Sequence, residues 1–190
     1  LFDENKSEYT FRSLNSIILS LHSAQKNFPS INFNIIVIDH NSVKKDLEQI
    51  ESQLIKSNFR YSIISLDVSD FENNIRKVNE KKEKVSKNQI SNMSNIHKSL
   101  LIARDQCNDL IYFVEDDYIH INDSINEMIF AYERISSLTK KELILCPADY
   151  PYLYTKIDPT NIFLGSSRHW RKIDETLCTF LTSKNIIEKY

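Results

Sequence analysis

The sequence predicts an α/β fold in which a mostly parallel β-sheet is flanked by helices. Short runs of β-branched and aromatic residues alternate with segments whose apolar residues recur every three or four positions. Strands and helices that alternate in this way usually form a parallel sheet joined by right-handed crossovers. The chain has 190 residues, of which 41% are hydrophobic and 26% charged, so it is long enough for one globular domain with a sizeable core.

The individual elements are assigned from local patterns. The first helix follows Ser7, a suitable N-cap, because Phe11, Leu14 and Ile18 then recur at helical spacing. Strands are assigned to short runs such as residues 110–114 (LIYFV), which are apolar throughout and therefore typical of strands buried on both faces. In order, the predicted elements are a helix from Ser7 to about Asn27, a strand at 33–38, a helix at about 47–55, a strand at 61–66, a helix at about 92–107, a strand at 110–114, a helix at about 124–137, a strand at 143–146, a strand at 176–182 and a final helix capped by Ser183.

A long irregular stretch at residues 147–175 interrupts this alternation. It contains three of the four prolines and the only glycine, and loops of that length inside a compact domain are usually functional. Arg168 and Arg171 could clamp a diphosphate there, although the stretch could equally be a loop with its arginines in solvent. Asp174 and Glu175 are the reserve candidates for a general base.

Composition excludes several classes of protein. The net charge of −2 provides no general attraction to nucleic acid or to an anionic membrane. Because Gly165 is the only glycine, neither a Walker loop nor a dinucleotide-binding glycine loop can form. Any phosphate must therefore be held by a metal ion, by basic side chains or by helix amino ends. The three cysteines lie apart in apolar segments, which favours reduced thiols.

Two further expectations concern localisation and the chain ends. No apolar run approaches the length of a transmembrane helix, so we expect a cytoplasmic protein, with peripheral association with a membrane left open. Leu1 and Phe2 read as the end of a strand, and residues 185–190 read as the start of a helix. We therefore expect the chain to be truncated at both ends.

The most informative motif is the run of three carboxylates, Glu115, Asp116 and Asp117, at the end of the strand at 110–114. Like charges this close repel one another, and a divalent cation relieves the repulsion. Carboxylate oxygens select magnesium, manganese or calcium. Because side chains alternate along a strand, we expect Glu115 and Asp117 to face one way and Asp116 the other, which places an acid-x-acid pair at the carboxyl edge of the sheet, where α/β proteins bind ligands. The alternative is a solvated acidic turn without a ligand.

Three features in order resemble the GT-A glycosyltransferases, and in particular the family-2-like enzymes that use nucleotide diphosphate sugars. They are the opening turn at residues 5–9 (NKSEY) that leads into a helix, the strand ending at 37–42 (VIDHNS) and the strand ending at 112–117 (YFVEDD). The resemblance covers the whole chain and implies a single Rossmann-like GT-A domain. Its nucleotide-sugar half would span about residues 1–120 and its acceptor-side half about 121–190.

The resemblance also implies roles for particular residues. The turn around Asp3 and Lys6 would lie beside the nucleotide base, and Asp39 would contact the base or the ribose. His40 stands where many relatives have a second acid. The carboxylate run matches the DxD element, in which Asp117 binds a manganese or magnesium ion together with Glu115, and Asp116 contacts ribose or metal. This set of donor-binding residues is completed by Arg168 and Arg171.

The function implied is metal-dependent transfer of a sugar, with a UDP-sugar favoured, to a hydroxyl group of a glycan or other acceptor, with inversion. Residues 177–184 match the acceptor-side strand and the helix after it, and in inverting relatives the catalytic base follows that segment, here beyond Tyr190. Two alternatives remain open. One is a sugar-nucleotide-binding domain without turnover, and the other is a receiver-like signalling domain, which also binds magnesium at strand ends.

Overall fold

A computed structural model describes residues 5–71, 73–78, 82–155 and 159–189. The described residues confirm the α/β class, with helices and short strands that alternate over most of the chain. The elements are α1 (Lys6–Asn27), β1 (Asn34–Asp39), α2 (Lys44–Ser57), β2 (Arg60–Ser65), α3 (Lys87–Gln106), β3 (Leu110–Phe113), α4 (Ser124–Thr139), β4 (Ile144–Leu145), β5 (Ile162–Leu164), β6 (His169–Arg171), β7 (Phe180–Ser183) and α5 (Lys184–Lys189). Short 3-10 helices lie at Val68–Asp70 and Pro151–Tyr154.

Most predicted elements are confirmed to within a few residues, and the differences have local causes. Helix α3 begins five residues earlier than predicted, because Ser86 and Gln89 form a capping box in which each side chain accepts a hydrogen bond from the other's backbone N–H. Ser183 caps α5 as predicted, accepting a hydrogen bond from the N–H of Ile186 at 3.3 Å. The strand expected at Leu1 and Phe2 lies outside the described residues.

The chain divides into two compact units. The smaller unit, Phe33–Cys107, contains α2, α3 and the parallel strands β1 and β2, which pair from Asn34 opposite Arg60 to Asp39 opposite Ser65. Part of its core is formed by Leu66, Phe71 and Ile75. None of the helices in the described part of the chain is long and apolar enough to cross a membrane.

The larger unit combines the described residues of Leu1–Asn32 and Asn108–Tyr190. Helices α1 and α4 pack together, and the hydroxyl of Ser20 accepts a hydrogen bond from the N–H of Ile125 at 2.9 Å. Strand β7 lies between β3 and β4, while β5 and β6 form a separate hairpin. The assignment to one domain with functional halves that meet near residue 120 stays a prediction.

The mostly parallel sheet predicted from the sequence does not match the strand directions in the described residues. Only the β1–β2 pair is parallel, whereas β7 is antiparallel to both β3 and β4, and β5 is antiparallel to β6. The described residues between β4 and β7 contain a hairpin and irregular segments but no α-helix. No crossover helix therefore joins β4 to β7 in the described residues, and β7 pairs antiparallel with both of its neighbours.

Candidate functional site

The three adjacent carboxylates lie directly beyond the end of β3, in the larger unit. Strand β3 ends at Phe113, and Glu115, Asp116 and Asp117 are all exposed, with the two aspartates in a turn. The alternation expected for a continued strand therefore does not apply to them. Because β7 is antiparallel to β3, its first residue pairs with Phe113, and the hydroxyl of the preceding Thr179 accepts a hydrogen bond from the N–H of Glu115 at 3.1 Å.

Asp116 is held by the first turns of α1. The ammonium of Lys6 lies 3.6 Å from its Oδ2, and the hydroxyl of Thr10 donates a hydrogen bond to the same oxygen at 3.0 Å. Lys6 and Asp116 are both well exposed, so this pair adds little stability. The structure thus brings together two of the predicted donor-binding residues, Lys6 and Asp116.

The carboxylates of Glu115 and Asp117 have fewer partners within the chain than that of Asp116. Partial desolvation and repulsion by Asp117 raise the pKa of Glu115, while a hydrogen bond from Thr179 acts in the opposite direction. Repulsion by Asp117 is stronger than that by Asp116, so Glu115 interacts chiefly with Asp117. Within the described residues, no hydrogen bond or ion pair engages the side chain of Asp117. These two carboxylates are the ones available to a cation.

The donor set fits a particular kind of metal site. Among residues 5–71, 73–78, 82–155 and 159–189, no three His, Cys, Asp or Glu side chains are grouped so that they could hold a metal ion alone. Magnesium is commonly bound by one or two carboxylates together with waters and substrate phosphates. Glu115 and Asp117 could supply at most two of the oxygen ligands of such a cation, and they do not form a closed structural site.

Tyrosines from two segments lie beside this acidic strand end. The hydroxyl of Tyr118, the residue after Asp117, is hydrogen-bonded to the hydroxyl of Tyr150. The rings of Tyr150 and Tyr152 stack with centroids 5.7 Å apart and planes inclined by 19°. Burial, the bond to Tyr118 and nearby charges that include Glu115 raise the pKa of Tyr150. An aromatic surface therefore adjoins the candidate cation site.

The two arginines of the long loop differ in their surroundings. A guanidinium nitrogen of Arg171 donates to Asp149 Oδ1 at 2.9 Å, and the guanidinium carbon lies 4.4 Å from the ring centroid of Tyr154. Tyr154 also donates a hydrogen bond to Asp149, and this bond and the pairing with Arg171 hold the pKa of Asp149 below its usual range. Arg171 is thus engaged within the loop, whereas Arg168 is exposed at the turn between β5 and β6.

Sequence reasoning missed Glu127, which anchors this hairpin to α4. Only 5% of Glu127 is exposed, and its carboxylate accepts hydrogen bonds from the N–H groups of Ser166 and Ser167, the hydroxyl of Ser167 and the indole of Trp170, at 2.7–3.2 Å. Burial opposes ionisation, but these donors hold the pKa of Glu127 below its usual range. The lone glycine is required there, since a Cβ on Gly165 would lie 1.9 Å from Glu127 Oε1.

The remaining predicted residues lie elsewhere. In the smaller unit, Asp39 ends β1 and accepts a hydrogen bond from the N–H of Ser42 at 3.3 Å, while His40 is hydrogen-bonded to Ser91 at 2.7 Å. Their contacts with a base or ribose stay predictions, and Asp3 lies outside the described residues.

The two reserve candidates for a general base are exposed between β6 and β7. They are Asp174, whose carboxylate lies 3.9 Å from the ammonium of Lys172, and Glu175.

Comparison with known proteins adds no family to this geometry. The chain matches no protein-family model, no curated protein and no solved structure.

Proposed function

We propose that this chain is a glycosyltransferase that binds a nucleotide diphosphate sugar through a divalent cation at Glu115 and Asp117. The observation that carries the proposal is that the three carboxylates have different contacts. Asp116 is held by Lys6 and Thr10, whereas Glu115 and Asp117 repel each other at the exposed end of β3. These two carboxylates would hold the cation, and its charge would neutralise theirs.

The chemistry can be written as a balanced displacement. The acceptor oxygen forms a bond to the anomeric carbon, the bond from that carbon to the diphosphate oxygen breaks, and the diphosphate leaves with the electron pair. A divalent cation, when bound, stabilises the negative charge that develops on the diphosphate. The proton of the acceptor hydroxyl passes to a base, for which Asp174 and Glu175 are the candidates among the described residues.

The test is calorimetric titration with UDP and then with GDP, each with and without manganese. We expect manganese-dependent binding of one nucleotide to the unaltered chain. In Asp117→Asn, affinity should fall by roughly tenfold or more, because a contact to a charged group is worth about 1.5–3 kcal/mol. Glu133→Gln is the matched control, since it removes one exposed carboxylate from α4 and should bind like the unaltered chain.

Two results would overturn the donor site. One is the absence of binding of either nucleotide at millimolar concentration, and the other is manganese-dependent binding that survives unchanged in Asp117→Asn. If the nucleotide binds but the corresponding nucleotide sugar is neither hydrolysed nor transferred, the chain is a sugar-nucleotide-binding domain without turnover. The receiver-like alternative is disfavoured by β7, which runs antiparallel beside the acidic strand, whereas doubly wound receivers place parallel strands there.

A further inference from the structure

The stacked pair Tyr150–Tyr152 has the features of a ligand platform. Tyr152 lies in the 3-10 helix Pro151–Tyr154 and is 42% exposed, so part of its ring is accessible to solvent. The ring of Tyr150 stacks on it with near-parallel planes, and Tyr150 is itself hydrogen-bonded to Tyr118. An exposed aromatic ring braced in this way is a preformed surface for stacking.

The other tyrosine of that 3-10 helix, Tyr154, has different contacts. Tyr154 carries the guanidinium of Arg171 against its ring and donates its hydroxyl hydrogen to Asp149. Its ring is therefore occupied on one face by a cation from the chain itself. Tyr154 is itself 63% exposed, but its ring lies against a cation, whereas the exposed ring of Tyr152 is stacked on a second aromatic ring, that of Tyr150.

The charges around the pair restrict what it can bind. Two acidic residues belong to segments that meet near the pair: Glu115 lies three residues before Tyr118, which is hydrogen-bonded to Tyr150, and the negative charge of Glu175 contributes to raising the pKa of Tyr152. The carboxylate of Glu175, to which no cation is assigned, repels a phosphate or an anionic lipid but accepts hydrogen bonds from hydroxyl groups. A sugar ring matches both features, since it has an apolar C–H face for stacking and hydroxyls at its edge.

We propose that the Tyr150–Tyr152 pair binds a pyranose ring of a carbohydrate acceptor, with the C–H face of the sugar against Tyr152 and its hydroxyls directed to Glu175. The role as an acceptor subsite rests on the proposed glycosyltransferase function, whereas carbohydrate binding by the pair does not. The inference makes the substrate class of the acceptor a glycan rather than a lipid or protein hydroxyl.

The experiment is saturation-transfer NMR on the whole chain, with the methyl glycosides of glucose, galactose and N-acetylglucosamine as probes, each without nucleotide. At least one glycoside should receive saturation, most strongly at its ring C–H protons. In Tyr152→Ala the effect should fall by roughly fivefold or more, and in Tyr152→Phe, which retains the ring, it should persist. Ile55→Ala, which truncates an exposed side chain in the smaller unit, is the control and should change nothing.

Choline is the competing probe, because an aromatic surface beside carboxylates also suits an organic cation. Binding of choline without any glycoside would overturn the proposal, as would absence of glycoside binding to the unaltered chain or equal binding in Tyr152→Ala. Far-ultraviolet circular dichroism and the thermal midpoint show whether Tyr152→Ala is folded, and if it is not, the comparison of Tyr152→Leu with Tyr152→Phe decides.

Manganese-dependent UDP or GDP binding, measured on the same samples, separates this inference from the proposed function. Tyr152→Ala should retain nucleotide binding, because no donor role is assigned to the pair. Glycoside binding without nucleotide binding would leave a carbohydrate-binding surface and remove the transferase. Nucleotide binding without glycoside binding would remove the platform alone.

Discussion

At the scale of single residues, His120 fixes the segment that follows the acidic run. Its Nε2 lies 2.7 Å from the hydroxyl of Tyr112, and its N–H donates to the hydroxyl of Ser16 at 2.9 Å. From the sequence alone His120 reads as an ordinary loop histidine, because its two partners come from β3 and α1 and Ser16 lies 104 residues away. Such a contact leaves no local pattern in the chain.

The protonation of His120 should make stability depend on pH. Burial lowers the pKa of His120 below its ordinary value of about 6.5, although a backbone hydrogen bond at Tyr118 opposes the shift. The unfolded chain therefore binds a proton first, so this contribution to the free energy of unfolding is complete above pH 6.5 and declines as pH falls below it. The decline cannot exceed about 1.4 kcal/mol per pH unit for one proton.

Urea unfolding between pH 7.5 and 5.5 measures this effect. His120→Asn should be less stable than the unaltered chain at pH 7.5, and its stability should fall less steeply as the pH is lowered. His22→Asn is a control for the loss of a histidine on α1. Parallel pH curves for the unaltered chain and His120→Asn would show that His120 is not the titrating group.

At the scale of elements, local patterns predicted α1 to α4 and β1 to β3, but not the directions in which strands pair. The spacing of apolar residues that predicts a helix lies within the helical segment itself. In α1, for example, buried residues recur at helical intervals, as Phe11, Leu14, Ile18 and Leu21 do. Strand direction depends on how distant segments meet, and β7 enters between β3 and β4 with no signal in residues 180–183 to show it. The β5–β6 hairpin was missed for a similar reason, since its anchor Glu127 lies 39–43 residues away.

The attachment of that hairpin to α4 gives a prediction at the same scale. Gly165→Ala should destabilise the protein by about 1–3 kcal/mol, because the added Cβ would overlap the buried carboxylate of Glu127 and displace the turn. Glu127→Gln should cost about 2 kcal/mol or more, since the amide has a single accepting oxygen and its NH2 group would face N–H and O–H donors that the carboxylate accepts. Urea unfolding of both variants, with Glu133→Gln as the control on α4, measures these losses.

The double variant tests whether the two residues act together. Because both substitutions disrupt one contact, their effects should be clearly less than additive, with an interaction free energy of about 0.5–3 kcal/mol. Full additivity would mean that the overlap at Gly165 is relieved without loss of the hydrogen bonds to Glu127. The attachment would then be looser than the short contacts indicate.

At the scale of the whole molecule, the division into two compact units predicts separate local unfolding. The smaller unit is one continuous segment, whereas the larger unit joins two segments that lie on either side of it in the sequence. Each unit has its own buried side chains, among them Leu21 of α1, 8% exposed, and Leu54 of α2, fully buried. Truncation of either leucine to alanine should cost about 2–5 kcal/mol.

Native-state hydrogen exchange shows which of the two units loses stability in each variant, because amides that open in one cooperative unit share its opening free energy. Leu21→Ala should speed exchange of the β3 and β7 amides more than that of the β1 and β2 amides, and Leu54→Ala should do the reverse. The two leucines serve as controls for each other, since both lose the same atoms from a buried helix face. Equal acceleration of all four strands in both variants would mean that the chain unfolds as a single cooperative unit despite its two compact parts.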